Sequence, residues 1–302
     1  MLSLWVSYLF SLSCRASLAE FLRIQELVAS GVGIFDPALG EGVEAWAEIR
    51  ATQAHLLCRE QYLLFCHEID RAREAGLCFT QPGEPDFPAG FLNLQEVPFF
   101  LCYMGTPVWK TSVGLAVVGS REPSADSESW CEKELSLVLQ QLSIFTVSGG
   151  ARGIDQVCHR VSVRLRLPTV AILPSGLQNI YPPSLIPVVN SLLESGGALL
   201  SEYLPKTEMA KNFFQRRNRL IAGLAQICLI VEARRRSGTL ITAQQAVEQA
   251  KPLFILPTHP YDPRGMGGLD LLLDGATPVR DAQDLISFLS AELKGVLEPK
   301  QV

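Results

Sequence analysis

The sequence predicts an α/β protein in which a doubly wound, mostly parallel sheet follows a small N-terminal α-helical domain. After Thr111, short and continuously apolar runs alternate with amphipathic segments, a pattern typical of parallel strands covered on both faces by helices. Before Gly76, apolar residues recur at three- and four-residue spacing, which indicates helices. The 302 residues suit one large domain and one small one. We expect a helical domain at 1–80, a linker and extended segment at 81–112, and the α/β domain at 113–302.

The N-terminal part of the chain is predicted to be helical. Met1 to Ser13 is apolar but lacks a basic start, so we interpret it as a first helix rather than as a signal peptide. Three further segments show the helical period: Phe21 to Val28, Val43 to Ile49 and Leu56 to Ala75. Prolines and glycines between Gln81 and Phe87 indicate a linker, and Val97 to Tyr103 is predicted to be an extended piece.

The α/β domain is predicted from six apolar runs and the helical segments among them. The predicted strands are Gly114 to Val118, Ser143 to Val147, Thr169 to Leu173, Ala198 to Leu200, Ile227 to Val231 and Leu253 to Leu256. The predicted helices are Ala125 to Leu142, Ile154 to Leu165, Asn218 to Ala225, Leu240 to Gln249 and Ala282 to Leu293. Ligands of such folds bind beyond the carboxyl ends of the strands, so the loops at that edge are the candidate sites.

Composition narrows the function classes. With 48% hydrophobic and 19% charged residues, the chain has the composition of a soluble globular protein, and no stretch is long enough to span a membrane. The eight cysteines form no CxxC pair and no zinc spacing, so we expect buried thiols in a reducing cytoplasm, with no metal and no cofactor. The net charge of −5 does not exclude a nucleic-acid partner, because the local distribution of Lys and Arg decides that.

The loop after the first strand of the α/β domain offers an anion site. Gly119 permits close backbone approach, Arg121 adds a planar charged fork, and Ser124 can cap the helix that follows. Free amides at the start of a helix attract anions. A plain strand-to-helix turn with an exposed arginine remains the alternative.

The loop after the second strand is rich in glycine. Three glycines and Arg152 occur between Ser148 and Asp155, which suits a nest of backbone amides around a phosphate, although a purely structural turn stays possible. The loop is neither a GxGxxG nor a Walker A motif. His159 follows within the helix, and we interpret it as a packing residue. Tyr181, in the loop after the third strand, either shapes a wall of the crevice or stacks on a base.

Positive charge concentrates late in the chain. Between Lys211 and Arg236 there are seven basic residues and one acidic residue, Glu232. Aromatic and cationic residues interleave in Lys211 to Arg219, the combination that single-stranded nucleic acid requires because phosphates bind cations and unstacked bases bind aromatic faces. A solvated charged helix is the alternative. We expect Arg217 and Arg219 to be structural, and one of the adjacent phenylalanines, 213 and 214, to belong to the core.

An ordered set of motifs between about 85 and 285 resembles the DprA/Smf family. The motifs are Gly119-Ser-Arg with Pro-Ser, Ser148-Gly-Gly-Ala-Arg-Gly-Ile-Asp155 with His159, Pro174-Ser-Gly-Leu with Tyr181-Pro-Pro, Ser201-Glu-Tyr, Phe214-x-Arg-Arg-Asn-Arg219 and Glu232-Ala-x-x-x-Ser-Gly-Thr-Leu-Ile-Thr-Ala243. The sequence departs from the family's usual pattern at Gly149-Gly150 and at Gly267-Gly268-Leu269-Asp270. After Ala282 to Leu293 we expect no C-terminal winged-helix domain.

The resemblance implies an extended Rossmann-like domain that dimerises, binds single-stranded DNA, protects incoming DNA and loads a RecA-type recombinase in natural transformation. It places DNA contacts in the Gly119-Ser120-Arg121 loop and at Lys211 and Phe214, and it implies that the N-terminal domain is SAM-like. The candidate nucleic-acid-binding residues are Gly119, Ser120, Arg121, Ser148, Gly149, Gly150, Arg152, Gly153, Lys211, Phe214, Arg216, Arg217, Arg219, Ser237, Gly238 and Thr239.

Two further expectations concern catalysis and assembly. We expect no enzyme activity and no catalytic residue. The alternative is a nucleotide-binding phosphoribohydrolase-like enzyme with Glu232 as its carboxylate beside Ser237-Gly238-Thr239. Four leucines from Leu269 to Leu273 offer more apolar surface than one helix face can bury internally, so we expect a homodimer through 255–289 that uses Leu269, Leu271 and Leu272. The alternative is that these leucines close the end of the sheet.

Overall fold

The computed structural model describes residues 1–13, 16–33, 39 and 43–297, with side chains described as far as residue 290. The chain divides into two compact units. The first contains Met1–Met104, Ser175–Asn179 and Leu200–Glu208, and the second contains Gly105–Pro174, Ile180–Leu199 and Met209–Val302.

The first unit is mainly helical. Its helices are α1 (Leu2–Ser11), α2 (Leu18–Ala29), α3 (Glu44–Thr52) and α4 (Arg59–Glu74). A capping box starts α2, in which Ser17 accepts the Glu20 N–H and the Glu20 carboxylate accepts the Ser17 N–H. Aromatic rings fill the core, and the Phe10 ring lies 5.5 Å from that of Phe21. The helical N-terminal region is therefore as predicted.

Residues 81–104, interpreted from sequence as a linker and an extended piece, are part of this first unit. Strands β1 (Cys78–Thr80) and β2 (Leu101–Gly105) pair antiparallel, with Phe79 opposite Cys102. Between them lies a 3₁₀ helix, Ala89–Asn93, whose Phe91 is fully buried. Prolines and glycines here shape tight turns around buried aromatic rings, which is why a composition typical of linkers occurs in packed structure.

A parallel sheet forms the centre of the second unit. Its strands are β3 (Val113–Val118), β4 (Ile144–Ser148), β5 (Thr169–Ile172), β6 (Ala198–Ser201, of which Ala198 and Leu199 belong to this unit), β7 (Ile227–Ile230), β8 (Leu253–Ile255) and β9 (Thr277–Pro278), in the order β6-β5-β4-β3-β7-β8-β9. The pairs β3–β4, β3–β7, β4–β5, β7–β8 and β8–β9 are parallel. The predicted α/β class with a mostly parallel sheet is confirmed.

Helices flank this sheet. They are α5 (Ala125–Trp130), which continues through a π-helical turn into α6 (Ser136–Gln141), then α7 (Ile154–Arg164), α8 (Ile186–Glu194), α9 (Lys211–Leu224), α10 (Gly238–Glu248), α11 (Met266–Leu273) and α12 (Ala282–Leu297). Leu115 and Val117 of β3 pack with residues of α6, α7 and α12, while α9 and α10 pack on β3 and β7. The sequence did not predict α8, α11 or the short strands β1 and β9.

In a parallel sheet, the carboxyl ends of neighbouring strands meet at one edge. The loops that follow β3, β4 and β7 therefore converge, and each leads towards a helix start. Among the described residues, no helix combines the length and the hydropathy needed to cross a bilayer.

Candidate nucleic-acid interface

A crevice of about 860 Å³ opens in the second unit beyond the carboxyl ends of β3 and β7. The predicted residues that line it are Gly119, Ser120, Arg121, Lys211, Phe214, Arg217, Ser237, Gly238 and Thr239. The predicted residues outside its lining are Ser148, Gly149, Gly150, Arg152, Gly153, Arg216 and Arg219. Arg234 and Arg236, part of the basic segment but not of the predicted set, also line the crevice.

The ring of Phe214 is central to the crevice. The guanidinium carbon of Arg121 lies 5.4 Å from the ring centroid, and the ring of Tyr181 meets Phe214 edge-on at 5.6 Å. Phe213 and Phe214 are both half-buried, so the expectation that one of them is core is wrong. An aromatic ring that is held by a cation and a second ring, yet still accessible, is a platform on which a base can stack.

Helix α9 explains why Lys211 and Phe214 belong to the crevice. It starts at Lys211, seven residues before the start predicted at Asn218, so both side chains lie on its first turn. The first half of α9 is polar and shows no apolar periodicity, which is why the sequence pattern missed it. Its second half, from Arg217 to Leu224, is buried.

The glycine-rich loop after β4 is held by hydrogen bonds to its own residue Asp155. The Asp155 carboxylate accepts the N–H groups of Gly149 and Ala151, both at 3.2 Å. These two amides, which the sequence pattern assigned to a phosphate, are therefore satisfied by the loop's own carboxylate. Burial raises the pKa of the Asp155 carboxyl, and the nearby Arg217 charge offsets part of that rise. Ser148 is also buried, and its hydroxyl donates to the Val117 carbonyl at 2.6 Å.

Arg217 packs on the same loop. A Cβ added to Gly149 would lie 1.6 Å from Nη1 of Arg217, so only glycine leaves room for the guanidinium. Nη1 of Arg217 donates to the carbonyl of Ile172 at 2.8 Å, and the side chain is only 4% exposed. Arg219 is buried as well and donates to the Arg216 carbonyl at 3.2 Å. Both arginines are therefore buried and donate to backbone carbonyls of the protein itself.

The three consecutive arginines after β7 have different surroundings. Arg235 donates two hydrogen bonds of 2.6 Å to the carboxylate of Asp270 on α11. Arg234 lies 3.6 Å from the Glu122 carboxylate at an exposed position. Arg236 is exposed, adopts a left-handed backbone with φ of 59° and lines the crevice. Of these three arginines, Arg235 therefore pairs with α11, whereas Arg234 and Arg236 line the crevice.

The loop that presents Arg121 is tied to its neighbours by backbone contacts. The Thr239 hydroxyl donates to the Gly119 carbonyl at 2.9 Å, and the Ile154 N–H donates to the Ser120 carbonyl at 3.1 Å. Gly153 has φ of 80°, and a Cβ there would lie 2.2 Å from the Ser120 carbonyl oxygen. The Arg121 side chain itself is exposed.

Two buried titratable side chains near the crevice serve the fold. Nδ1 of His159 is hydrogen-bonded to the Thr169 hydroxyl at 2.7 Å, and burial, with a contribution from Arg217, lowers the pKa of His159 to about 3. Oε2 of Glu232 accepts the Ser124 N–H at 3.1 Å and the Ser127 hydroxyl at 3.0 Å. Within the described ranges, no three His, Cys, Asp or Glu side chains are grouped as a metal site requires.

A family model described as DNA recombination-mediator protein A matches residues 78–290. The chain belongs to this family. Protein Smf of Escherichia coli strain K12 is 36% identical over 229 residues, which are 72% of this chain and 60% of Smf. The match thus covers less than two thirds of that relative's length.

Two solved structures of the recombination-mediator family share the fold. DNA processing protein A of Streptococcus pneumoniae superposes with a TM-score of 0.73 at 26% identity and covers 93% of this chain and 97% of its own. DNA processing protein A of Helicobacter pylori, described by its single-stranded DNA binding mode, gives a TM-score of 0.64 at 28% identity over 71% of this chain and 96% of its own. The DprA/Smf resemblance seen in the motifs is confirmed.

The leucines predicted for a dimer interface lie on α11. Leu269, Leu271 and Leu272 are half-buried, whereas Leu273 is 87% exposed. The two glycines at the start of α11 are buried, and the N–H groups of Gly267 and Gly268 donate to the Ala233 carbonyl at 2.8 and 3.2 Å. One side of α11 therefore closes against the segment after β7, and Leu273 faces away from the core.

Proposed function

We propose that this protein binds single-stranded DNA in the crevice beyond β3 and β7 and acts as a mediator of recombination. The observation that carries the proposal is the Phe214 ring, half-buried and flanked by the Arg121 guanidinium in a crevice that also holds Lys211 and Arg236. Cations there bind backbone phosphates, and the ring offers a stacking surface that any base can use.

The geometry favours a single strand over a duplex. In a duplex the base faces are stacked on one another, so an aromatic ring beside a guanidinium gains no base contact there. Phosphate contacts from loops and helix starts carry no sequence information, so we expect little base preference. The Helicobacter pylori relative, which is described by its single-stranded DNA binding mode, supports the same ligand.

The finer role is part of the proposal. Relatives named DNA processing protein DprA, among them that of Bacillus subtilis at 32% identity, support a role in DNA processing, and we propose that this role belongs to natural transformation. We propose that the DNA-bound protein protects the strand and loads a RecA-type recombinase on it, in the cytoplasm and as a homodimer. A recombinase-loading assay on DNA coated with single-strand-binding protein tests this step, and failure of the wild type to shorten the lag contradicts it.

The proposal assigns no catalysis to the crevice. Glu232, the carboxylate that the enzyme alternative requires, is 2% exposed and accepts hydrogen bonds from Ser124 and Ser127, so it is engaged in holding a helix start. His159 is fully buried with a pKa of about 3 and cannot exchange protons with a substrate near neutral pH. Consumption of a nucleoside monophosphate by the wild type, abolished in Glu232→Gln, would instead support the enzyme alternative.

Fluorescence anisotropy with labelled single-stranded and duplex oligonucleotides over a salt series tests DNA binding. We expect the single strand to bind more tightly than the duplex. Arg121→Ala and Lys211→Ala should each weaken binding regardless of sequence and reduce the salt slope by about 0.7 for each phosphate that is no longer bound. Arg160→Ala is the matched control, because Arg160 is an exposed arginine on α7 outside the crevice lining. Unchanged slopes in both crevice variants would remove Arg121 and Lys211 from the site.

A further inference from the structure

Glu232 is a buried carboxylate at the start of the segment whose later residues, Arg234 and Arg236, line the crevice. It follows β7 directly, is 2% exposed, and its Oε1 has no hydrogen-bond partner among the described residues. Burying a carboxylate costs free energy unless hydrogen bonds or nearby positive charge compensate it. Its hydrogen bonds lead to the start of α5, and the Arg264 guanidinium also interacts with it electrostatically.

A chain of hydrogen bonds connects Glu232 to that helix start. Oε2 of Glu232 accepts the backbone N–H of Ser124 at 3.1 Å and the hydroxyl of Ser127 at 3.0 Å. The Ser124 hydroxyl in turn donates to the Ser127 hydroxyl at 2.9 Å and accepts the Ser127 N–H at 3.2 Å. A negative charge here also meets the positive end of the α5 dipole, so the carboxylate is stabilised where it lies.

The loop that ends at Ser124 is the one that presents Arg121. Its first residues are fixed by hydrogen bonds to the carbonyls of Gly119 and Ser120, and its last residue is fixed by Glu232. Arg121 lies between these two fixed ends, with its exposed guanidinium against Phe214. If the end at Ser124 were released, the backbone of Arg121 would gain freedom that DNA binding must remove again.

We infer that Glu232 is a positioning residue for nucleic-acid binding, which holds the start of α5 so that Arg121 stays over Phe214. The inference rests on the proposed function. Glu232 itself has no contact with DNA and no catalytic role in this inference. It acts by accepting hydrogen bonds from Ser124 and Ser127, which hold the start of α5.

A double-mutant cycle between Glu232 and Arg121, read out as affinity for a single-stranded oligonucleotide, tests the inference. Glu232→Ala should lower affinity about tenfold by freeing the loop. In the Arg121→Ala background the same change should have no further effect, to within about twofold. Paired with Lys211→Ala, whose residue lies on α9, the two reductions in affinity should multiply. The inference is overturned if the reductions in affinity caused by Glu232→Ala and Arg121→Ala also multiply in the double variant. It is equally overturned if a folded Glu232→Ala protein binds the oligonucleotide like the wild type.

Glu232→Gln separates positioning from charge. The amide oxygen of glutamine can accept the same two hydrogen bonds, so this variant should retain affinity to within about twofold of the wild type. A reduction as large as that of Glu232→Ala means that the charge itself acts and overturns the positioning role. Should Glu232→Ala not fold, Ser127→Ala removes one of the two donors and enters the same cycle.

The cycle also distinguishes this inference from the proposed function. If Arg121→Ala and Lys211→Ala both bind single-stranded DNA like the wild type, the crevice is not the DNA site and the proposed function fails. If those two variants bind more weakly while Glu232 and Arg121 act independently, only the positioning role fails.

Discussion

Arg121 and Arg217 both line the crevice, but their side chains differ in exposure and in hydrogen-bond partners. Arg121 is exposed above the Phe214 ring, so its charge is available to a phosphate. Arg217 is buried on Gly149 and donates to the Ile172 carbonyl, and its charge offsets part of the rise that burial causes in the pKa of Asp155. Burial and the hydrogen bond to a backbone carbonyl leave the Arg217 side chain less accessible to a ligand than that of Arg121.

His159 gives a prediction at this scale. Its pKa falls from 6.5 to about 3 on folding because burial disfavours the charged ring. Between these values the unfolded chain binds the proton and the folded chain does not. The contribution of His159 is therefore fully present above pH 6.5 and is lost as pH falls towards 3.

We expect His159→Asn to flatten the pH dependence of the free energy of unfolding by up to about 1.4 kcal/mol per pH unit between about pH 6 and 4. Asparagine keeps a polar atom near Thr169 but does not titrate. Urea denaturation at several pH values measures the slope, with His55→Asn as the control for a histidine in the first unit. Parallel pH profiles for wild type and His159→Asn would contradict the assignment of a neutral buried imidazole.

At the scale of elements, α9 has two halves with different tasks. Its first turn carries Lys211 and Phe214 into the crevice, and its second half, from Arg217 onward, is buried against the sheet. Arg217, at the junction, contacts the glycine loop after β4 and the carbonyl of Ile172 at the end of β5. The position of Lys211 and Phe214 on α9 therefore depends on the buried contacts of Arg217.

This arrangement predicts opposite outcomes for two substitutions on α9. Arg217→Met should lower the free energy of unfolding by about 3–5 kcal/mol, because Asp155 is then without its compensating charge, yet leave the salt slope of DNA binding by the remaining folded protein unchanged. Lys211→Ala, at an exposed position, should leave stability nearly unchanged and reduce the slope. Denaturation and anisotropy on the same preparations compare them. A reduced slope in Arg217→Met would show that Arg217 contacts phosphate.

At the scale of the whole molecule, α11 presents the apolar surface from which we predict assembly. Leu273 is 87% exposed, whereas Leu269, Leu271 and Leu272 are half-buried. A twofold contact through this helix would be self-complementary. It would also link two crevices, so that a strand bound by one is at high effective concentration for the other.

We predict that the wild type is a homodimer and that Leu273→Arg yields monomers with weaker binding to long oligonucleotides, while binding to short ones stays the same. Sedimentation measures the mass of each variant. Leu64→Arg is the control, because Leu64 is an exposed leucine on α4 in the other unit. A wild type that is monomeric at micromolar concentration, or a folded Leu273→Arg protein that remains dimeric, would show that α11 is not the interface.

The sequence by itself determined the fold class, and it predicted the edge of the sheet at which the candidate site lies. Apolar runs such as Ile227 to Val231 are local signals, and the order of strands and helices follows from them. Tertiary structure alone decided which charges face the crevice. The fold brings the partners of each charged side chain together. As a result, the Asp155 carboxylate accepts the amides of the glycine loop, Arg217 is buried against Gly149, and Arg235 pairs with Asp270. Apolar periodicity is a property of neighbouring residues in the sequence, whereas the burial and pairing of a charged side chain also depend on residues from distant parts of the sequence.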